Sequence, residues 1–435
     1  MFRRIRGWLV AGVATALVLT GCSAGGSAPA PAETAFNKDT AAEITFSWWG
    51  NEDRAKRFEQ VIGMFNEEYP NVKVVRNFNS WGDYWTARNT EAAGRALPDA
   101  VMMDASYLGE YANKGLLKDL GPFRQNTLTL EGVSDSVLGS GTIGDKLVAV
   151  PLGTNAYSMM YNKKVLDAYG IEYPTSDMDW NQLNAFLMKV NQAGAGADPR
   201  IYGAEDYTGG FPGFIYHLMQ SGNEVFTADG KPTFTEADVV SYLDSTASMR
   251  DAGDFYPIAR SIALSPKGGF LAGETAVWFN FSTTVQQAMS DIGTEEIGMV
   301  APPRANGSSE RILASHPSML LAIAENSKQP QAAAAFVNFL ATSPKVAEVF
   351  GTSLGTPPTQ EGRDAINQTA ADKVNLGYLD AVKSDMTAGY PILPAGYGTI
   401  EAKWTELHER LRYGELTTQQ FGQELFSEIS LVLGR

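Results

Sequence analysis

At 435 residues, with 44% hydrophobic and 19% charged side chains, the chain has ordinary globular composition and more length than one core usually fills, which predicts two domains. Its 49 acidic and 34 basic residues give a formal charge of −15, a surface that offers nucleic acid or anionic phosphate no basic footprint. The single cysteine, Cys22, excludes an internal disulfide and a cysteine-based structural metal site, and no cofactor is expected.

Arg3, Arg4 and Arg6 precede an apolar run over 8–19, too short to span a bilayer and flanked as a secretory signal is. The run closes in Leu19-Thr20-Gly21-Cys22, which resembles a bacterial lipobox. This reading gives a signal peptide over 1–21, a lipid on Cys22, and an Ala/Gly/Ser/Pro-rich flexible tether over 22–42. The mature protein is then expected outside the cytoplasm, lipid-anchored to the outer face of the bacterial cell membrane.

The fold proper is expected from Glu43. Residues 44–48 alternate as a strand and run into Trp49-Gly50-Asn51, and 52–69 predicts an amphipathic helix with Phe58, Val61, Ile62 and Phe65 on one face before Pro70 stops it. A strand over 72–78, a helix over 81–94 and a buried strand over 99–103 ending at Asp104 follow. This alternation is the grammar of a mostly parallel sheet covered by helices, in which ligands bind beyond the carboxyl ends of the strands. Trp49, Asn51 and Asp104 stand at those ends, although Asp104 also suits a helix cap before Ser106. Trp81, with Tyr84 and Trp85, forms either a stacking platform or a helix face packed on the sheet.

The stretch 141–170 reads as a turn, an apolar run to Pro151, a polar Gly153-Thr154-Asn155 break, a strand over 157–162 and a helix. It is taken as the first crossing between lobes, with Gly153-Thr154 as hinge and Asn155 and Tyr157 at the cleft mouth. Beyond it come a helix over 180–192, a short strand over 201–204, and a glycine-bounded loop carrying Asp206 and Tyr207, where functional side chains concentrate. Helices are expected over 213–221 and 236–251, with a hairpin turn at Asp229-Gly230 between them. In a strand over 276–281, alternation puts Trp278 and Asn280 on one face, taken as the cleft, and Val277, Phe279 and Phe281 on the other, taken as core. Residues 298–303 look like the chain crossing back; a strand over 319–324 and helices over 331–340, 344–350, 369–387, 400–413 and 418–433 complete it. His217, His316 and His408 are too scattered for a metal or triad site, and packing is their default role.

Taken together, these segments are similar to the extracellular solute-binding proteins of carbohydrate ABC importers, the family that includes maltose-binding protein. The resemblance is carried by Trp48-Trp49-Gly50, Pro98-Asp99-Ala100-Val101, Val148-Ala149-Val150-Pro151 leading through Asn155 to Met160-Tyr161-Asn162-Lys163, Gly273 to Phe279, Ala334 to Leu340 and Gly355-Thr356-Pro357-Pro358. It implies an α/β, type II-like periplasmic-binding-protein fold of two lobes joined by crossing strands at a hinge, divided as 43–152 plus 300–342 and 153–299 plus 343–435. It also implies a sugar or oligosaccharide held in the interlobe cleft without chemical change, permease subunits of an ABC importer as partners, and a monomer. Tyr397 occupies the region where relatives place a stacking aromatic.

An acidic and aromatic cleft suits a neutral carbohydrate, since hydroxyls pair with Asp and Asn and C–H faces stack on rings. Two alternatives remain: a cationic solute such as a polyamine or peptide, which needs two or more uncompensated carboxylates in the cleft, and a lipid-anchored glycoside hydrolase with a paired Asp/Glu.

Overall fold

A computed structural model describes residues 35–227, 230–265, 267–386, 388–391 and 393–434; the expected signal segment, Cys22 and Asp229 lie outside the described residues. Strand β1 (Ala42–Trp49) alternates at its start and is buried on both faces at its end, as a strand with neighbours on either side and helices above and below must be. It pairs in parallel with β2 (Val72–Asn79) and with β3 (Ala100–Met103). The connecting helix α1 (Glu52–Glu68) buries Phe58, Val61, Ile62 and Phe65, worth roughly 1.5–3 kcal/mol apiece. Its first turn is capped by the Asn51 side chain, which accepts from the Arg54 N–H at 3.0 Å. Helix α2 (Trp81–Ala93) lies between β2 and β3, and Asp104 caps α3 (Ala105–Asn113) by accepting from the Ser106 N–H at 2.9 Å.

Strand β4 (Ala149–Asn155) completes one sheet, and after Ala156 alone the chain enters β5 (Tyr157–Asn162), the centre of another. There β5 is flanked antiparallel by β6 (Val277–Phe281) and β7 (Ile297–Val300). Helix α4 (Lys163–Ala168) follows directly, capped by Asn162. Strand β8 (Ala314–Ile323) then returns to the first sheet, inserting between β3 and β4 and antiparallel to both. The first sheet therefore runs β2-β1-β3-β8-β4, with the two-residue β9 (Ala388–Gly389) beside the start of β8.

Helices α5 (Trp180–Ala193), α6 (Phe211–Gln220), α7 (Glu236–Asp244), α8 (Val285–Ile292), α11 (Ala370–Ala381), α12 (Tyr397–Arg412) and α13 (Thr418–Val432) build cores separate from the first sheet, whereas α9 (Pro330–Thr342) and α10 (Pro344–Phe350) cover that sheet. The mixed α/β architecture is the one expected, with several local differences. The chain crosses back at 314–318, because 298–300 belongs to β7 and 301–313 stays with the second sheet through Arg304 N–H to Met178 O (3.0 Å) and Leu313 N–H to Asp385 O (2.8 Å). Helix α10 packs on α1, with Phe350 against Phe58 at 4.7 Å, so it sides with the first core although the sequence assigned it to the second lobe. The helix over 236–251 breaks at Ser245-Thr246, and 201–204 contributes only the Tyr202–Thr275 bridge. The end of the expected tether is docked, with the Phe36 N–H bonded to Thr127 Oγ1 at 2.9 Å.

Gly153, expected as a hinge, stands in close backbone contact with a neighbouring segment. The chain at 354–356 runs against 153–154, with Thr154 and Thr356 exchanging backbone hydrogen bonds of 3.1 and 2.8 Å. A Cβ at Gly153 would meet the carbonyl carbon of Gly355 at 2.6 Å, so glycine is needed for backbone contact and not for dihedral freedom.

Candidate functional site

The carboxyl ends of β1, β3, β4 and β6 converge on a cavity of about 230 Å³. This is where a sheet of this kind places a ligand: backbone carbonyls and loop side chains are free there, while the strands hold them rigidly. From the first sheet come Trp49, Trp81 at the start of α2, Asp104 and Ser106. The crossing strands contribute Asn155, His316 and Ser318, and the end of β6 contributes Phe281 with Thr283 and Thr284. The remaining wall is Tyr390, just after β9, and Tyr397 and Glu401 on α12.

Aromatic faces line much of this space. Trp49 is nearly buried and meets Trp81 edge-on at 5.1 Å, while Trp81 is 46% exposed at the cavity edge. His316 stacks on Phe281 at 4.2 Å and meets Tyr390 edge-on at 4.3 Å. Burial drives the His316 pKa down to about 3, so the ring is neutral. Its Nδ1 lies 3.0 Å from Asn155 Oδ1 and donates to it, which ties the two crossing strands together and leaves Nε2 as an acceptor. Asn155 in turn donates to Thr283 Oγ1 at 3.3 Å, so the amide is fixed from both sides.

The electrostatics are one-sided. Burial raises the Asp104 carboxyl even though Ser106 donates to it from backbone and side chain. Burial, with the charge of Asp104 second, pushes Glu401 up to about 7. Tyr390 and Tyr397 are raised well above the usual phenol value, by burial first and then by the same two acids. The Tyr397 hydroxyl is buried, with no hydrogen-bond partner among the described residues. Among the described residues, no lysine or arginine lines the cavity.

Of the candidates read from the sequence, the cavity gathers Trp49, Trp81, Asp104, Asn155 and Tyr397. Tyr157 lies beside it, lining a smaller cavity that shares Pro212, Phe281 and Tyr390, with its ring 5.7 Å from Tyr216 and from Phe281. The others are elsewhere. Asn51 is spent as the α1 cap. Asp206 is 5% exposed and accepts from Arg250 Nε (2.9 Å), Thr208 Oγ1 (2.7 Å) and Thr246 Oγ1 (3.4 Å), with His408 Nε2 at 3.5 Å. Burial opposes its charge, but His408 and Arg250 together hold its pKa well below the carboxylate range. Tyr207 stacks on Trp180 at 5.0 Å and donates to Asn184 at 2.8 Å. Trp278 stacks on Phe270 at 5.6 Å in another core, and the Asn280 side chain accepts from the Phe281 N–H at 2.8 Å.

Phe281, Tyr390, Glu401 and His316 were missed or set aside. Alternation along β6 gave Phe281 to the core, but only the strand's end reaches the cavity, and there Phe281 faces it. Glu401 carried a signal: it stands four residues after Tyr397, hence on the same helix face as a residue already singled out. Among the described residues there is no metal-holding cluster of His, Cys, Asp and Glu, and no helix long and apolar enough to cross a membrane.

Comparison with known proteins adds to this geometry. The family described as "Bacterial extracellular solute-binding protein" matches residues 60–375. The chain is 26% identical over 261 residues to an erythritol/L-threitol-binding protein of Mycolicibacterium smegmatis, covering 53% of this chain and 52% of that protein. It thus spans about half the length of the curated relatives it matches. Among solved structures, a family 1 extracellular solute-binding protein of Alicyclobacillus acidocaldarius is similar with TM-score 0.66 and 26% identity, over 91% of this chain and 99% of that one. A periplasmic oligogalacturonide-binding protein of Yersinia enterocolitica in complex with saturated digalacturonic acid gives 0.77 at 19% identity, with 91% and 99% covered. An ABC substrate-binding protein of Listeria monocytogenes in complex with cycloalternan gives 0.76 at 18%, with 91% and 100% covered. These likenesses show the two-lobed fold.

Proposed function

The chain belongs to the bacterial extracellular solute-binding protein family, and from that premise we propose that it captures a carbohydrate or polyol in the cavity between its two sheets and delivers it to the permease of an ABC importer. The observation that carries this reading is the lining itself. Hydroxyl, amide and carboxylate groups (Ser106, Asn155, Thr283, Asp104) stand among flat aromatic faces (Trp49, Trp81, Tyr397), the combination that bonds hydroxyls and stacks on C–H surfaces together. The volume, about 230 Å³, lies below the roughly 300–1,000 Å³ of clefts for drug-sized ligands and suits a small polyol or a single sugar ring.

Binding is expected to leave the solute unchanged. A hydrolase pair needs two carboxyls whose environments push their pKa values apart, whereas burial raises both Asp104 and Glu401. Chromatography of the best-bound sugar after long incubation should return it intact. Export and tethering through a lipid on Cys22, with the protein acting as a monomer, complete the reading; radiolabelled palmitate should enter the wild type and not a Cys22→Ala variant.

Calorimetry against a panel of polyols, monosaccharides and short oligosaccharides tests the central claim. Saturable heat with a sugar or polyol supports it; heat only with an amine such as putrescine, or with a peptide, overturns it. One observation favours that cationic reading: among the described residues two acids face the cavity, and no lysine or arginine does.

A further inference from the structure

Building on the carbohydrate-binding reading, we propose that the solute is a sugar or polyol bearing a protonated amine, with the ammonium held between Asp104 and Glu401 and the hydroxyls on Asn155, Ser106 and Thr283.

Three ligand classes can be compared by charge. An acidic sugar would bring further negative charge against two acids, with no lysine or arginine among the described lining residues and His316 neutral. A neutral sugar would satisfy the hydroxyl and amide groups but offer the acid pair no counterion, so Glu401 would keep its proton and the pair's charge would go unused. A plain polyamine would neutralise the acids but leave Asn155, Ser106 and Thr283 facing methylene groups. Only an aminated polyol satisfies both halves of the wall. Trp49, Trp81, Phe281 and Tyr390 add π-faces to the same space, which favour a cation where water is excluded.

Glu401 has the geometry of the exchanging partner. Asp104 is committed on one oxygen to the α3 cap, with Oδ1 accepting from the Ser106 N–H and hydroxyl. The Glu401 carboxylate has no hydrogen-bond or ion-pair partner among the described residues. The titratable groups about it are Asp104 and Tyr107 on the α3 side, Tyr390 after β9, Tyr397 on its own helix, and neutral His316 across the cavity. None is cationic. Burial keeps a proton on Glu401 near neutral pH, and an entering ammonium displaces that proton to solvent. Binding of an amine therefore strengthens as pH rises through about 7, provided the amine itself stays protonated.

The test uses the full mature chain and matched solutes that differ only in one group: glucosamine, glucose and glucuronate, and in the open-chain series glucamine, sorbitol and gluconate. Calorimetry should show the amine of at least one series binding roughly tenfold or more tighter than its neutral partner, with no binding of the acid. The advantage should widen from pH 6 to pH 8 for glucamine, with net proton release read from buffers of different ionisation enthalpy. Glu401→Gln, or Asp104→Asn if the first fails to fold, should narrow the preference to less than about threefold. Equal or tighter binding of the neutral partner, or a preference that survives Glu401→Gln, overturns the amine assignment and leaves carbohydrate binding standing. Binding of none of this panel also overturns the amine assignment, and the wider panel of polyols, monosaccharides and short oligosaccharides then decides the carbohydrate reading by itself.

Discussion

Asp206, buried against α12, and Glu401, half-buried on α12 itself, are acids whose surroundings differ in almost every respect. Asp206 is met by a guanidinium, two threonine hydroxyls and the His408 ring. Glu401 is met by another acid, phenols and open space. The first arrangement lowers the carboxyl pKa and the second raises it to about 7. A buried carboxylate whose donors are all supplied by the protein is part of the scaffold, clamping the 206–209 turn to α12. A half-buried one to which the described residues give no donor, in a cavity large enough for a solute, is a demand that a ligand can meet.

The comparison breaks most visibly at Asp206. Asp206→Ala strands the nearly buried Arg250 guanidinium, and urea denaturation should show a loss of about 3–5 kcal/mol; a loss under about 1 kcal/mol would erase the contrast. The pH dependence has a definite sign. A folded pKa below the unfolded one gives stability that is present above about pH 4 and lost as pH falls below it. Glu401 has the opposite sign. Its folded pKa lies above the unfolded value, so the folded state holds a proton that the unfolded chain has released, and empty protein should lose stability as pH rises from about 4.5 to 7. Glu401→Gln should therefore stabilise the empty protein by about 1–3 kcal/mol at pH 8 and by little at pH 4. Thermal melts at the two pH values measure this, and equal shifts at both would refute it. The smallest expected effect is at Tyr397→Phe. It deletes a buried hydroxyl that has no partner among the described residues, so both folding stability and solute affinity should change by less than about 1 kcal/mol, which urea denaturation and calorimetry measure.

Much of the fold was legible because its elements are strongly periodic. The alternation of β1, the apolar stripe of α1 and the abrupt Asn155-Ala156-Tyr157 passage between sheets state their own geometry. Strand ends were harder to assign to a role. Asn51, Asp104 and Asp206 are all short polar residues after a strand or in a loop, and each caps the turn that follows it. Local hydrogen bonding explains all three; only Asp104 also lines the cavity, and nothing within its own segment distinguishes it. The return crossing was missed because Pro302-Pro303 looks like a break, while His316-Pro317-Ser318-Met319, which makes the crossing, carries irregular pairing with β4. Glu401 was hidden among the other acids of α12, and only its register with Tyr397 sets it apart.

Trp81 gives the cavity an optical consequence. It is 46% exposed, far more than Trp48, Trp49, Trp85 or Trp404, and its ring meets Trp49 edge-on where a solute enters. A solute that covers this indole should shift its emission to shorter wavelength, and Trp81→Phe should abolish most of that shift without removing the signal of the core tryptophans. The protein thereby carries its own fluorescent gauge of occupancy, readable without a label.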